Sequence, residues 1–149
     1  MDDITIHNVR SKISSFRGDI ASAQITLETQ IGRILLRSGK PKAFQLSFHD
    51  KIVLIEQVLL SNDISPITTN EVIKKLTEIR HIRNTIAHDI WSKVNDESII
   101  FEGNNRRTII SKKSLSELKS SFSYLDRFFL DFYFDVFDPY GDQVKDIPS

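Results

Sequence analysis

Cysteine is absent from the 149-residue chain, and methionine and tryptophan occur once each. Without thiols there is no disulfide framework and no thiolate metal centre. Net charge is missing too: 20 lysines and arginines balance 20 aspartates and glutamates. Such a chain has no global field to gather nucleic acid, so any contact with a polyanion must come from a local patch. No apolar run approaches the roughly 20 residues of a membrane span. Residues Met1 to Arg10 lack a basic start followed by an apolar stretch, so no secretory signal is expected. These absences fit a reducing, cytoplasmic setting away from membranes. Internal repeats, low-complexity segments and linkers are also lacking. What remains is ordinary, with 40% hydrophobic and 27% charged residues. That suits one domain over 1–149 with a core of its own and a tail over 138–149.

Apolar spacing predicts helices. Val9, Ile13, Phe16, Ile20, Ala23, Leu27, Ile31 and Ile34 fall in steps of three and four, one stripe of a long helix from Thr5 to Arg37. Gly39 is the expected C-cap, with Pro41 just beyond. A second helix is expected from Ser47, where Ser47 and Asp50 make a capping-box-like start before Phe48, Ile52, Ile55, Val58 and Leu59. A third is expected to open at Thr68 or Thr69 and to run through Val72, Leu76 and Ile79 toward His88.

The pattern then changes. Ser98 to Glu102 and Arg106 to Ser111 are short β-branched runs around Gly103, Asn104 and Asn105, which predicts a β-hairpin. Ser114 and Glu117 form another capping box before Leu115, Leu118, Phe122, Leu125, Phe129 and Phe132. From Phe128 to Phe137 the aromatics overflow one helical stripe. Burial on a second side, by a partner subunit or by the hairpin, is expected. The predicted fold is all-α: an up-and-down four-helix bundle with a β-hairpin inserted between helices 3 and 4.

One stretch breaks the rules that the rest obeys. On the row Val72, Leu76, Ile79, position 83 is an arginine, followed by Ile86 and Ile90. A charge on a buried stripe is costly unless it is paired or reaches solvent or a ligand. Arg80, Asn84 and His88 form an i, i+4, i+8 row beside it. Arg83 and His88 are separated by about 140° and about 7.5 Å in a regular helix. They converge only if the arginine wraps round, the helix loosens at Ala87, or two copies face each other. A planar, permanent cation suits the charge on a phosphorane, and an imidazole can move a proton near neutrality. The plainer alternative is a buried ion pair of Arg83 with Glu28 or Glu56, and a histidine on the helix dipole.

Arg83-Asn84-Thr85-Ile86-Ala87-His88 resembles the R-x4-H motif of the HEPN superfamily, with a polar residue after the arginine. The expected setting is similar: a helical bundle with the motif near the end of its third main helix. The resemblance implies a homodimer whose two motifs line a shared cleft and cleave RNA without metal. The 2′-hydroxyl attacks the adjacent phosphorus, leaving a 2′,3′-cyclic phosphate and a 5′-hydroxyl. It assigns catalysis to Arg83 and His88, with Asn84 orienting the histidine or the phosphate. A toxin or defence role, and an antitoxin or nucleotidyltransferase partner, follow from the resemblance alone. Some HEPN toxins carry a tyrosine two residues past the histidine that the nucleotidyltransferase modifies; here that position is Ile90. Other HEPN domains are non-catalytic modules that bind RNA or protein, and this is the alternative function.

Arg80, with Arg106 and Arg107 on the hairpin, is the expected RNA-binding set, the hairpin pair making a basic lip for a phosphate backbone. Charge that blunts a strand edge explains that pair equally well. Asp131, Asp135 and Asp138 share a helical face, which reads as a solvent face. His7, His49 and His81 lack ligand spacing, and no H-E-x-x-H or glycine-rich phosphate loop occurs, so neither metal nor cofactor is expected. Beside Asp50, His49 reads as a capping neighbour.

Overall fold

Four α-helices and a small antiparallel sheet make up the computed structural model, which describes residues 3–88, 90–94, 98–103 and 106–138. Helix α1, Asp3–Arg37, buries Ile13, Phe16, Ile20, Leu27, Ile31 and Ile34. Between Ile20 and Leu27 its buried stripe passes through Gln24, 7% exposed, while Ala23 is only half-buried. The helix ends as expected at Gly39, whose φ of 94° only glycine adopts freely. The Lys40 N–H then reaches back to the Leu35 carbonyl at 3.0 Å and closes the end.

Helix α2, Phe48–Ser61, starts at the expected cap: Ser47 Oγ accepts the Asp50 N–H at 3.1 Å. Helix α3, Pro66–His88, starts earlier than Thr68. Ser65 Oγ accepts the Thr68 N–H at 3.1 Å, and Pro66 occupies a first-turn position where its missing N–H costs nothing. Only residues 62–65 separate α2 from α3, too few to carry the chain back along α2, so α3 returns against it. Helix α4, Lys112–Phe137, is capped by Ser111, whose Oγ accepts the Ser114 N–H at 3.1 Å. The expected Ser114–Glu117 box therefore lies inside the helix.

The sheet has three strands, not two: β1 Ile90–Val94, β2 Ser98–Gly103 and β3 Arg106–Ser111, in the order β1-β2-β3. The β2–β3 hairpin is the one expected, with Ile99 opposite Ile110 and Glu102 opposite Arg107. Strand β1 corrects the expectation that Ile90 continues the row of α3. Ile90 pairs with Glu102 and Trp91 with Phe101, with a register shift between Trp91 and Lys93. Isoleucine, tryptophan and valine favour strands, and pairing them with β2 covers an edge that a two-stranded hairpin leaves open. As the central strand, β2 buries Ile99, Ile100 and Phe101 in succession.

Helix α1 packs against α2, α3 and α4, and the sheet joins them through β2 on α3 and β3 on α4. Leu118, Leu125, Phe129 and Phe132 form the α4 side of the core. Part of the aromatic excess is absorbed along α4 itself. Phe128 stacks with Tyr124 at 6.3 Å and Phe132 at 6.4 Å, and the Arg37 guanidinium covers Phe137 at 5.8 Å. Leu130 and Phe134 stay 47% and 38% exposed. Of the expected tail, all but Asp138 lies outside the described residues. No described helix is long and apolar enough to cross a membrane.

Candidate functional site

The last turns of α3 depart from the stripe that precedes them. Leu76 and Ile79 are completely buried. Arg83, seven residues after Leu76 and so almost on the same face, is exposed. The expectation of a charge on the buried stripe is thereby corrected: the core contact passes to Ile82, half-buried, and Ile86, buried. Arg83 Nη1 donates to Asn84 Oδ1 at 3.3 Å, and no carboxylate among the described residues pairs with it. Glu28, one partner that the sequence offered, is engaged elsewhere. Its carboxylate accepts from Lys51 Nζ at 3.4 Å and from Gln24 Nε2 at 3.2 Å.

Arg83 and Asn84 open onto a cleft of about 210 Å³ where three helices meet. Helix α3 contributes Arg80, Arg83 and Asn84, the start of α2 contributes Ser47 to His49, and α1 contributes Gln24. Each contribution has a local cause. The Ser47 cap uses the Asp50 N–H, while the N–H groups of Phe48 and His49 find no backbone acceptor among the described residues. A helix start of this kind carries partial positive charge and favours anions. Both arginines add full positive charge to the same space. On the α1 wall Gln24, with its Nε2 on Glu28, has a buried Oε1 with no hydrogen-bond partner among the described residues.

The structure thus brings Arg80, Arg83 and Asn84 together. His88 is the last residue of α3, and its side chain, like that of Arg106, lies outside the described residues. Helical backbone continues through Ala87, so the expected loosening there is absent. Regular geometry then keeps the α-carbons of Arg83 and His88 about 140° apart around α3. Arg107 is exposed on β3 opposite Glu102, in the cross-strand pairing that opposite charges favour, and does not line the cleft. Asp131, Asp135 and Asp138 are exposed, with Asp131 accepting from Arg127 at 3.4 Å.

Gln24, Ser47, Phe48 and His49 line the cleft without having been given a site role from the sequence. Gln24 had a usable signal: it is four residues from Ile20 and three from Leu27, so a polar group stands on an apolar stripe. His49 had none, because nothing in its spacing shows that the start of α2 faces the end of α3. No protein-family model, curated protein or solved structure matches the chain.

Proposed function

We propose that the protein is a HEPN-like, metal-independent endoribonuclease of the toxin or defence type, working as a homodimer. The observation that carries the reading is Arg83: an exposed guanidinium on a face whose earlier positions are buried, free of carboxylates among the described residues, beside Asn84 and Arg80. A guanidinium with no carboxylate partner among the described residues is suited to a phosphodiester. The helix stays regular from Arg83 to His88, which sets their α-carbons about 140° apart and favours a composite site in which the histidine comes from a second copy.

In this reading an up-and-down bundle presents the end of α3 to its copy, and RNA crosses the shared cleft. One His88 imidazole takes the proton of the 2′-hydroxyl as oxygen attacks the adjacent phosphorus. The other gives a proton to the departing 5′-oxygen. Arg83 binds the non-bridging oxygens as charge develops, and Asn84 holds the guanidinium in place. The products are a 2′,3′-cyclic phosphate and a 5′-hydroxyl. Positioned acid–base work of this kind contributes roughly 10² to 10⁴ in rate. Arg80 adds a phosphate contact outside the reacting centre, and an antitoxin or nucleotidyltransferase partner would restrain the activity.

The test is cleavage of mixed RNA in the presence of a chelator. The wild-type chain is expected to cut, and folded Arg83→Ala and His88→Ala variants are expected not to. Binding without cutting by the wild type would replace the enzyme with a non-catalytic RNA-binding module.

A further inference from the structure

We infer that the α1–α2–α3 cleft of each chain is a ribonucleotide subsite, with His49 and the start of α2 completing a phosphate cradle begun by Arg80 and Arg83. Gln24 receives a hydroxyl of the attached ribose. The inference deepens the nuclease reading and rests on it for RNA as the natural ligand; the cradle itself lies within one chain. Its parts are independent. The two guanidiniums supply charge and directional donors. The N–H groups of Phe48 and His49 have no backbone acceptor among the described residues and stand at the positive end of a 14-residue helix. Of the carboxylates nearby, Asp50 is exposed and does not line the cleft, and Glu28, which accepts from Gln24, is paired with Lys51.

Gln24 identifies the ligand as more than a bare anion. The residue is only 7% exposed, and its Oε1 has no donor among the described residues. A buried acceptor without a donor is costly, and the cleft that Gln24 lines gives a ligand bringing an O–H or N–H the place to satisfy it once the amide turns toward it. Inorganic phosphate carries its O–H groups only on the phosphorus held in the cradle; a ribose carries hydroxyls beside the phosphate, where Gln24 stands. Size narrows the choice further. At about 210 Å³ the cleft falls below the roughly 300 Å³ at which pockets begin to enclose whole small molecules. It takes the phosphate and sugar and leaves the base outside, as suits one unit of a polymer read without regard to sequence. His49, on α2 rather than α3, donates to the phosphate and positions it.

The test uses the full chain, with uridine 3′-monophosphate and inorganic phosphate as separate probes and backbone amide resonances as the readout. Expected are saturable shifts at Phe48 and His49 with both probes, tighter for the nucleotide. His49→Ala, at an exposed position, weakens both probes by about tenfold, the loss of one charge-assisted hydrogen bond. Gln24→Met weakens only the nucleotide. Absence of saturable shifts at the start of α2 would overturn the inference, as would equal affinity for the two probes. So would unchanged binding in His49→Ala, whatever Gln24→Met does to folding. RNA cleavage by a chain whose cleft binds neither probe would sink this inference and leave the nuclease standing. Saturable nucleotide binding by a chain that cuts no RNA would do the reverse.

Discussion

Gly32 touches the positioning of the cleft from a distance, and replacing it with alanine has a computable sign. A β-carbon at Gly32 would meet Phe44 Cε1 at 2.6 Å and Cδ1 at 2.8 Å. Carbon atoms rest about 3.5 to 4.0 Å apart, so the ring would have to withdraw by about 1 Å. Phe44 is 51% exposed, so it has room to move outward. About half of its surface, roughly 100 Å², is in contact, and at about 25 cal/mol per Å² the ring has up to about 2.5 kcal/mol to lose. Alanine in mid-helix returns about 1 kcal/mol over glycine. Gly32→Ala is therefore expected to destabilise the wild type by about 1 kcal/mol. In a Phe44→Ala background the same change should stabilise by about 1 kcal/mol. Urea unfolding of the four chains gives the coupling, about 2 kcal/mol. Phe44 lies in the short turn Ala43–Gln45, three residues before Ser47, so a displaced ring also loosens the start of α2. If Gly32→Ala stabilises both backgrounds equally, the ring does not lie against α1 and the reasoning fails.

Two further perturbations probe polar groups. Lys51 is buried on α2 and meets Glu28, whose side chain is 25% exposed. Lys51→Met should cost about 2 kcal/mol, less than a fully buried pair because water still reaches the carboxylate. The double variant with Glu28→Gln should recover most of that loss in denaturant unfolding; no recovery would mean that packing rather than pairing is lost. For Tyr124, burial, the charge of Glu71 and the hydrogen bond to that carboxylate at 3.4 Å hold the phenol above its ordinary pKa. The folded chain keeps this proton where the unfolded chain releases it. Its stabilising effect is complete below pH about 10 and is lost as pH rises toward the folded-state value. Unfolding of Tyr124→Phe should show a shallower alkaline loss than wild type, and parallel losses would contradict the assignment.

Local chemistry explains what was legible in the chain. Gly39, Ser47 and the Ile99–Ile110 hairpin act through residues close in sequence, and each appears where spacing and capping rules put it. Ser65 and Ser111 were passed over because Thr68 and Ser114, three residues on, look like caps as well; the backbone chose the earlier serine each time. Strand β1 was missed because Ile90 fits a helical row as well as it fits a strand, and only pairing with β2 separates the two. Arg83 is the same lesson reversed. Its angular position is that of Leu76, but burial depends on what packs opposite, and a helical wheel holds no such information. The meeting of α2's start with Arg80 and Arg83 belongs to tertiary structure alone.

Mixing two inactive chains tests most directly whether Arg83 and His88 from two copies build one RNA-cleaving site. Arg83→Ala and His88→Ala proteins are unfolded together, refolded as a mixture and assayed for cleavage in chelator. A mixed dimer carries one intact arginine and one intact histidine in a shared cleft. The mixture is therefore expected to recover part of the wild-type rate, leaving 2′,3′-cyclic phosphate ends, while each variant refolded alone stays inactive. A mixture that forms mixed dimers yet cuts no faster than either parent, beside an active wild type, would contradict a site shared between two copies.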